Sequence, residues 1–94
     1  MNIIWDDEKN VKLMKERDLS FYDIAALILD QKYVDILQHP KRPGQMIFII
    51  PIHGYIHAVP FVIDAKSNIV LKTAFPSRKF HKLYGTENNE NKTG

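Results

Sequence analysis

The 94 residues include no cysteine, which excludes a disulfide framework, thiolate metal ligation and a cysteine nucleophile. There is no glycine-rich phosphate loop and no nucleophile elbow. No apolar run is long and unbroken enough to span a bilayer, and the opening MNIIWDDEKN lacks the basic and apolar regions of a secretory signal. A soluble, cytoplasmic protein with no membrane partner is therefore expected. An excess of one charge is also missing. Thirteen Lys and Arg against eleven Asp and Glu leave a net charge of +2, so an anion site has to come from local placement of cations. What is present is 45% hydrophobic and 26% charged residues, ordinary for one domain with a small core. We expect that domain over residues 1–84. The polar, aperiodic stretch 85–94, GTENNENKTG, reads as a flexible tail.

Asn2 to Trp5 read as a short edge strand that passes at Asp6 into a helix over Asp7 to about Arg17, with acids early and bases late. Val11 and Met14 are expected to face inward, and Trp5 to pack under the junction. Lys9, Lys12 and Lys15 recur at steps of three and form a basic flank, either solvated surface or a contact for an anion. Ser20 then caps a second helix with Asp23 at N3, and Leu19 is placed to staple onto Ile24. Ile24, Leu27 and Ile28 supply its buried stripe, extended by Phe21, and Ala25 and Ala26 permit close approach. The two helices are expected to pack antiparallel.

Residues 32–38 fit a strand or a continued helix. The near alternation of Tyr33-Val34-Asp35-Ile36-Leu37 favours the strand. HPKRPGQ (39–45) is an exposed connection with Lys41 and Arg42 at its tip. Met46 to Ile52 and Tyr55 to Val59 form a hairpin around His53-Gly54, its first arm central, and Pro60 implies a bulge or a locally exposed edge.

After a turn through residues 64–68, Ile69, Leu71, Thr73 and Phe75 alternate along a last strand, one face toward the core. Pro76 is expected to stop the ladder and Ser77 to cap a short helix or turn. Arg78, Lys79, His81, Lys82 and Tyr84 then share one basic segment, which reads either as a solvated terminal helix or as a phosphate site. The whole is an α+β domain: an N-terminal strand, two helices packed on a three- to four-stranded antiparallel sheet, and a short C-terminal basic helix or turn. The other sheet face is expected to be open to a ligand.

The runs WDDEKN, SFYDIA and PSRKFHKLY, in this order and separated by a hydrophobic hairpin, resemble the BrnT-like toxins of type II toxin–antitoxin systems. That likeness spans roughly Asn2 to Tyr84. It implies a RelE-like fold and a ribonuclease activity that inhibits translation until a cognate antitoxin sequesters the toxin. The implied partners are thus an RNA substrate and an antitoxin protein, in a homo-oligomer or a toxin–antitoxin hetero-oligomer. Where many members carry an arginine in the last strand, this chain has Lys72, which neutralises a phosphate without arginine's bidentate fork.

RNA cleavage requires a deprotonated 2′-hydroxyl, a stabilised phosphorane and a protonated leaving oxygen. Arg78 and Lys72 are assigned to the scissile phosphate, with Lys12, Lys15 and Lys79 guiding the backbone. His57 and His81 are the acid or base candidates, although each also reads as a satisfied structural histidine. Tyr84 either serves the RNA, by stacking on a base or donating a proton, or caps the core. No cofactor is called for. His53 and His57 fall in a turn and a strand without a nearby acid in sequence, so no metal site is expected. A non-catalytic module of the same fold, binding a protein or nucleic acid, is the alternative. Convergence of Lys72 and Arg78 near a histidine would distinguish the enzyme.

Overall fold

Strand β1 (Ile3–Ile4) leads directly into helix α1 (Asp7–Arg17) because Asp6, in extended backbone, accepts the N–H groups of Glu8 and Lys9 through one carboxylate oxygen. The computed structural model describes residues 2–85, and the expected tail beyond Gly85 lies outside the described residues. Asp18, in the left-handed region at φ 54°, ends α1, and Ser20 caps α2 (Phe21–Leu29) by accepting the Tyr22 N–H at 3.1 Å.

The inward face of α1 differs from the sequence expectation. Val11 and Met14 are 58% and 51% exposed, whereas Asn10 and Leu13 are each 6% exposed. Few apolar residues lie on this helix, and besides buried Leu13 a polar bond holds its inward face. Asn10 Oδ1 accepts the Phe21 N–H at 2.8 Å, satisfying a backbone donor in the first turn of α2 that the helix itself leaves free. Trp5 closes the same corner, its ring 5.9 Å from Phe21 and edge-on to Tyr22 at 4.8 Å.

The sheet has six strands rather than three or four. Its order is β1, β5 (Ile69–Leu71), β4 (Tyr55–Ile63), β3 (Gln45–Ile52), β2 (Asp35–Gln38), with β6 (Phe75–Pro76) also on β4. All pairs are antiparallel except β1 with β5. The β3–β4 hairpin turns through His53 and Gly54, both at positive φ (53° and 76°), the combination that matches the right-handed twist of paired strands.

The two faces of this sheet carry separate cores. Phe48, Ile50, Val59, Phe61 and Leu71 meet α1 and α2 through Leu13, Leu19, Phe21, Ile24 and Ile28. Ile47, Ile49, Ile56 and Ala58 lie on the other face. This second face is not open as expected. Helix α3 (Arg78–Tyr84), capped by Ser77 on the Phe80 N–H, covers it with Phe80 and Tyr84.

The last strand is divided. Phe61 pairs with Leu71 and Ala58 with Phe75, so two residues of β4 oppose three residues of the other chain segment, Lys72 to Ala74. This is a β-bulge, and Pro60 accounts for its position. The Lys72 N–H donates to the Pro60 carbonyl at 2.9 Å, but Pro60 has no N–H to return, and the ladder loses its register there. The extra residue inverts the alternation. Leu71 and Ala74 enter the helix-side core while Phe75 joins the α3 side, instead of sharing a face with Leu71. Nor does Pro76 stop the pairing: it sits opposite His57, and Ser77 N–H still reaches the Ile56 carbonyl at 3.0 Å. No helix among the described residues is long and apolar enough to cross a membrane.

Candidate nucleic-acid cleft

Helical spacing determines which α1 cations meet the sheet. Lys9, Lys12, Leu13, Glu16 and Arg17 line a cleft of 440 Å³, completed by Arg42 and Gln45 from the far end of the sheet and by Pro60, Lys72 and Thr73 at the bulge. Lys15 is not among them, because each step of three residues falls about 60° short of a full turn and carries it around the helix. Five cations and one carboxylate, Glu16, therefore surround this space. None of the five forms an ion pair among the described residues, where the one close pair is Lys32 with Asp30. Unpaired like charges around one concavity repel one another and favour a bound polyanion.

A second cleft, lined by Glu16, Arg17, His57, Phe75 and Pro76, adjoins the first through the two residues they share. His57 is paired with Ile50 on the helix-covered face and is 7% exposed. Burial holds its pKa below the ordinary imidazole value, with a smaller lowering from His53 and an opposing contribution from the Tyr55 carbonyl. His57 Nδ1 lies 2.9 Å from that carbonyl. In the neutral ring this nitrogen carries the proton and donates it there, which leaves Nε2 as a base.

The cations and histidines named from sequence do not assemble into one group. Lys12 and Lys72 join the first cleft and His57 the second, whereas Arg78, Lys79, His81 and Tyr84 ride on α3 and line neither. Lys72 and Arg78 thus do not converge in one cleft, so the pairing expected from sequence to mark an enzyme is not formed; the cation that lines the cleft of His57 is Arg17 instead. Arg78 and Lys79 are exposed, and Lys79 Nζ sits 5.6 Å above the Phe80 ring. His81 Nδ1 accepts the Ile56 N–H at 3.2 Å, and its ring stacks on Tyr55 with centroids 4.0 Å apart. The Tyr84 hydroxyl donates to Asp35 Oδ2 at 2.6 Å and ties α3 to the edge strand β2. That bond keeps the Asp35 carboxyl below its usual range, helped by the Ile36 N–H, and raises the Tyr84 phenol. Arg17, which lines both clefts, was not singled out from sequence, and the Arg42 tip was equally explained by solubility. Periodicity held a signal for Arg17, which lies four residues beyond Leu13 on the same helical face.

The fold and clefts together define a small α+β domain that carries a cation-lined groove beside a buried, base-competent histidine. Among solved structures the chain is similar to the crystal structure of the Brucella abortus ribonuclease toxin BrnT, at 20% sequence identity and a TM-score of 0.63, over 82% of this chain and 96% of that one. The fold is therefore the BrnT fold. No protein-family model matches the sequence, and no curated protein does.

Proposed function

We propose that this protein is an endoribonuclease of the toxin type, which cleaves RNA, thereby inhibits translation, and is held inactive by a protein antitoxin. The observation that carries this reading is the junction of a groove with five unpaired cations and a second cleft holding a neutral His57 with a free Nε2. The shared fold with a protein described as a ribonuclease toxin supports the same reading. Lys9, Lys12, Arg42 and Lys72 bind the RNA backbone electrostatically. His57 Nε2 takes the 2′-hydroxyl proton, and the 2′-oxygen attacks the adjacent phosphorus. The bond to the 5′-oxygen breaks, and that oxygen leaves with a proton from solvent, giving a cyclic phosphate end and a 5′-hydroxyl end. Arg78 and Lys79, just beyond Pro76, extend the contact with RNA outside the clefts.

Purified protein incubated with single-stranded RNA is expected to cleave it, and Lys72→Ala and His57→Ala to lose most of that activity while remaining folded. Binding is expected to weaken with salt, the slope of log K against log salt reaching about −3.5 if all five cations engage. Salt-dependent binding by the native protein without cleavage, on free RNA and on translating ribosomes alike, would support a non-catalytic RNA-binding module instead.

A further inference from the structure

We propose that Arg17 is the residue that grips the RNA phosphate undergoing cleavage, an inference that rests on the ribonuclease reading above. Of the cations named, Arg17 alone lines both clefts, because Lys9, Lys12, Arg42 and Lys72 line the larger and none of them lines the cleft that holds His57. An RNA backbone that passes from the cationic groove to the histidine therefore crosses Arg17.

The guanidinium is also held in place. Nη1 donates to the Ala74 carbonyl at 2.8 Å, within the bulge that Pro60 imposes. Anchoring through a backbone carbonyl restricts the long side chain without neutralising its charge. Its remaining donors have no partner among the described residues, and Glu16, its neighbour in both clefts, makes no ion pair with it. Those donors present a planar fork, suited to two non-bridging phosphate oxygens at once, and charge grows on these oxygens as the phosphorane forms. Lys72, a point charge, attracts the backbone but does not orient it in this way. In this arrangement the bulge has a purpose beyond topology: it supplies the carbonyl that aims the arginine.

The test compares the native chain with Arg17→Ala and Arg17→Lys on a short fluorescein-labelled single-stranded RNA, recording cleavage rate and the salt dependence of anisotropy. Arg17→Ala is expected to reduce the cleavage rate about 100-fold or more and to make the salt slope shallower by about 0.7. Arg17→Lys is expected to keep the slope and still lose most of the cleavage. A structural role alone would leave the slope unchanged, and that result, or native-like cleavage in Arg17→Ala, overturns the assignment. So does cleavage lost in Arg78→Ala but kept in Arg17→Ala. If Arg17→Ala does not fold, Arg17→Lys decides: binding kept with cleavage lost supports the proposal, and cleavage kept overturns it. A native protein that neither binds RNA nor cleaves it, free or on translating ribosomes, removes the ribonuclease reading and this inference with it, an outcome distinct from failure at Arg17 alone.

Discussion

Replacing Asn10 with alanine tests how α1 is oriented. The side chain is 6% exposed, and its Oδ1 accepts the N–H of Phe21, a residue with no exposed surface. Truncation leaves that donor buried and unpaired, which costs about 1–3 kcal/mol. Water does not readily replace the amide, because Trp5, Leu13 and Phe21 close the corner. At about 4–8 °C per kcal/mol for a domain of this size, a loss near 2 kcal/mol lowers the melting temperature by about 8–16 °C. The matched control is Val11→Ala, at a position 58% exposed, expected to change stability by no more than about 0.5 kcal/mol; Met14 does not serve as one, because its sulfur accepts from Asn10 Nδ2 at 3.7 Å. Urea denaturation monitored by the fluorescence of Trp5, the single tryptophan, provides the assay. If Val11→Ala costs more than Asn10→Ala, the helix is turned as its apolar residues alone would suggest, and the cleft formed by Lys9, Lys12 and Arg17 is not assembled as described.

Other measurements probe the remaining elements. The folded-state pKa of His57 lies below the ordinary value of 6.5, so its contribution to stability is complete above that value and is lost as pH falls toward the lowered one; an imidazole NMR titration should show the downward shift, and His57→Gln should flatten the stability profile in that window. Tyr84→Phe removes the hydrogen bond that lowers Asp35, so the Asp35 carboxyl should titrate closer to its usual range by carbon-detected NMR; an unchanged titration would refute the coupling. Phe75→Ala should loosen α3 and speed amide exchange at Phe80 and His81, whereas Thr73→Ala, at an exposed bulge position, should not; equal effects would refute the inverted alternation after the bulge.

Local signals carried much of the architecture. Asp6 and Ser20, themselves in extended backbone, cap the helices by accepting N–H groups only two or three residues ahead, so their roles are legible from neighbours alone. The His53-Gly54 turn and the apolar arms beside it likewise specify a hairpin locally. The division of the last strand was not legible in Ile69 to Phe75, whose alternation is regular. Its cause, the missing N–H of Pro60, lies on a different strand, and the effect depends on which residue faces Pro60 across the sheet. The site was half legible for the same reason. Lys12, Lys72 and His57 were named as candidates from their chemistry, but Arg17 and Arg42 join them in the clefts only after α1 and the loop at 39–44 are brought to one end of the sheet.

By itself the sequence determined the kinds of element, their order, the absence of thiol chemistry and the stock of cations available, because propensity, capping and composition act over a few residues. Tertiary structure alone decided which face of α1 turns inward, which side of the sheet α3 covers and which cations share a cleft. Those outcomes depend on bonds between residues far apart in the chain, such as Arg17 with Ala74 and Tyr84 with Asp35, whose partners are selected by packing and not by sequence proximity.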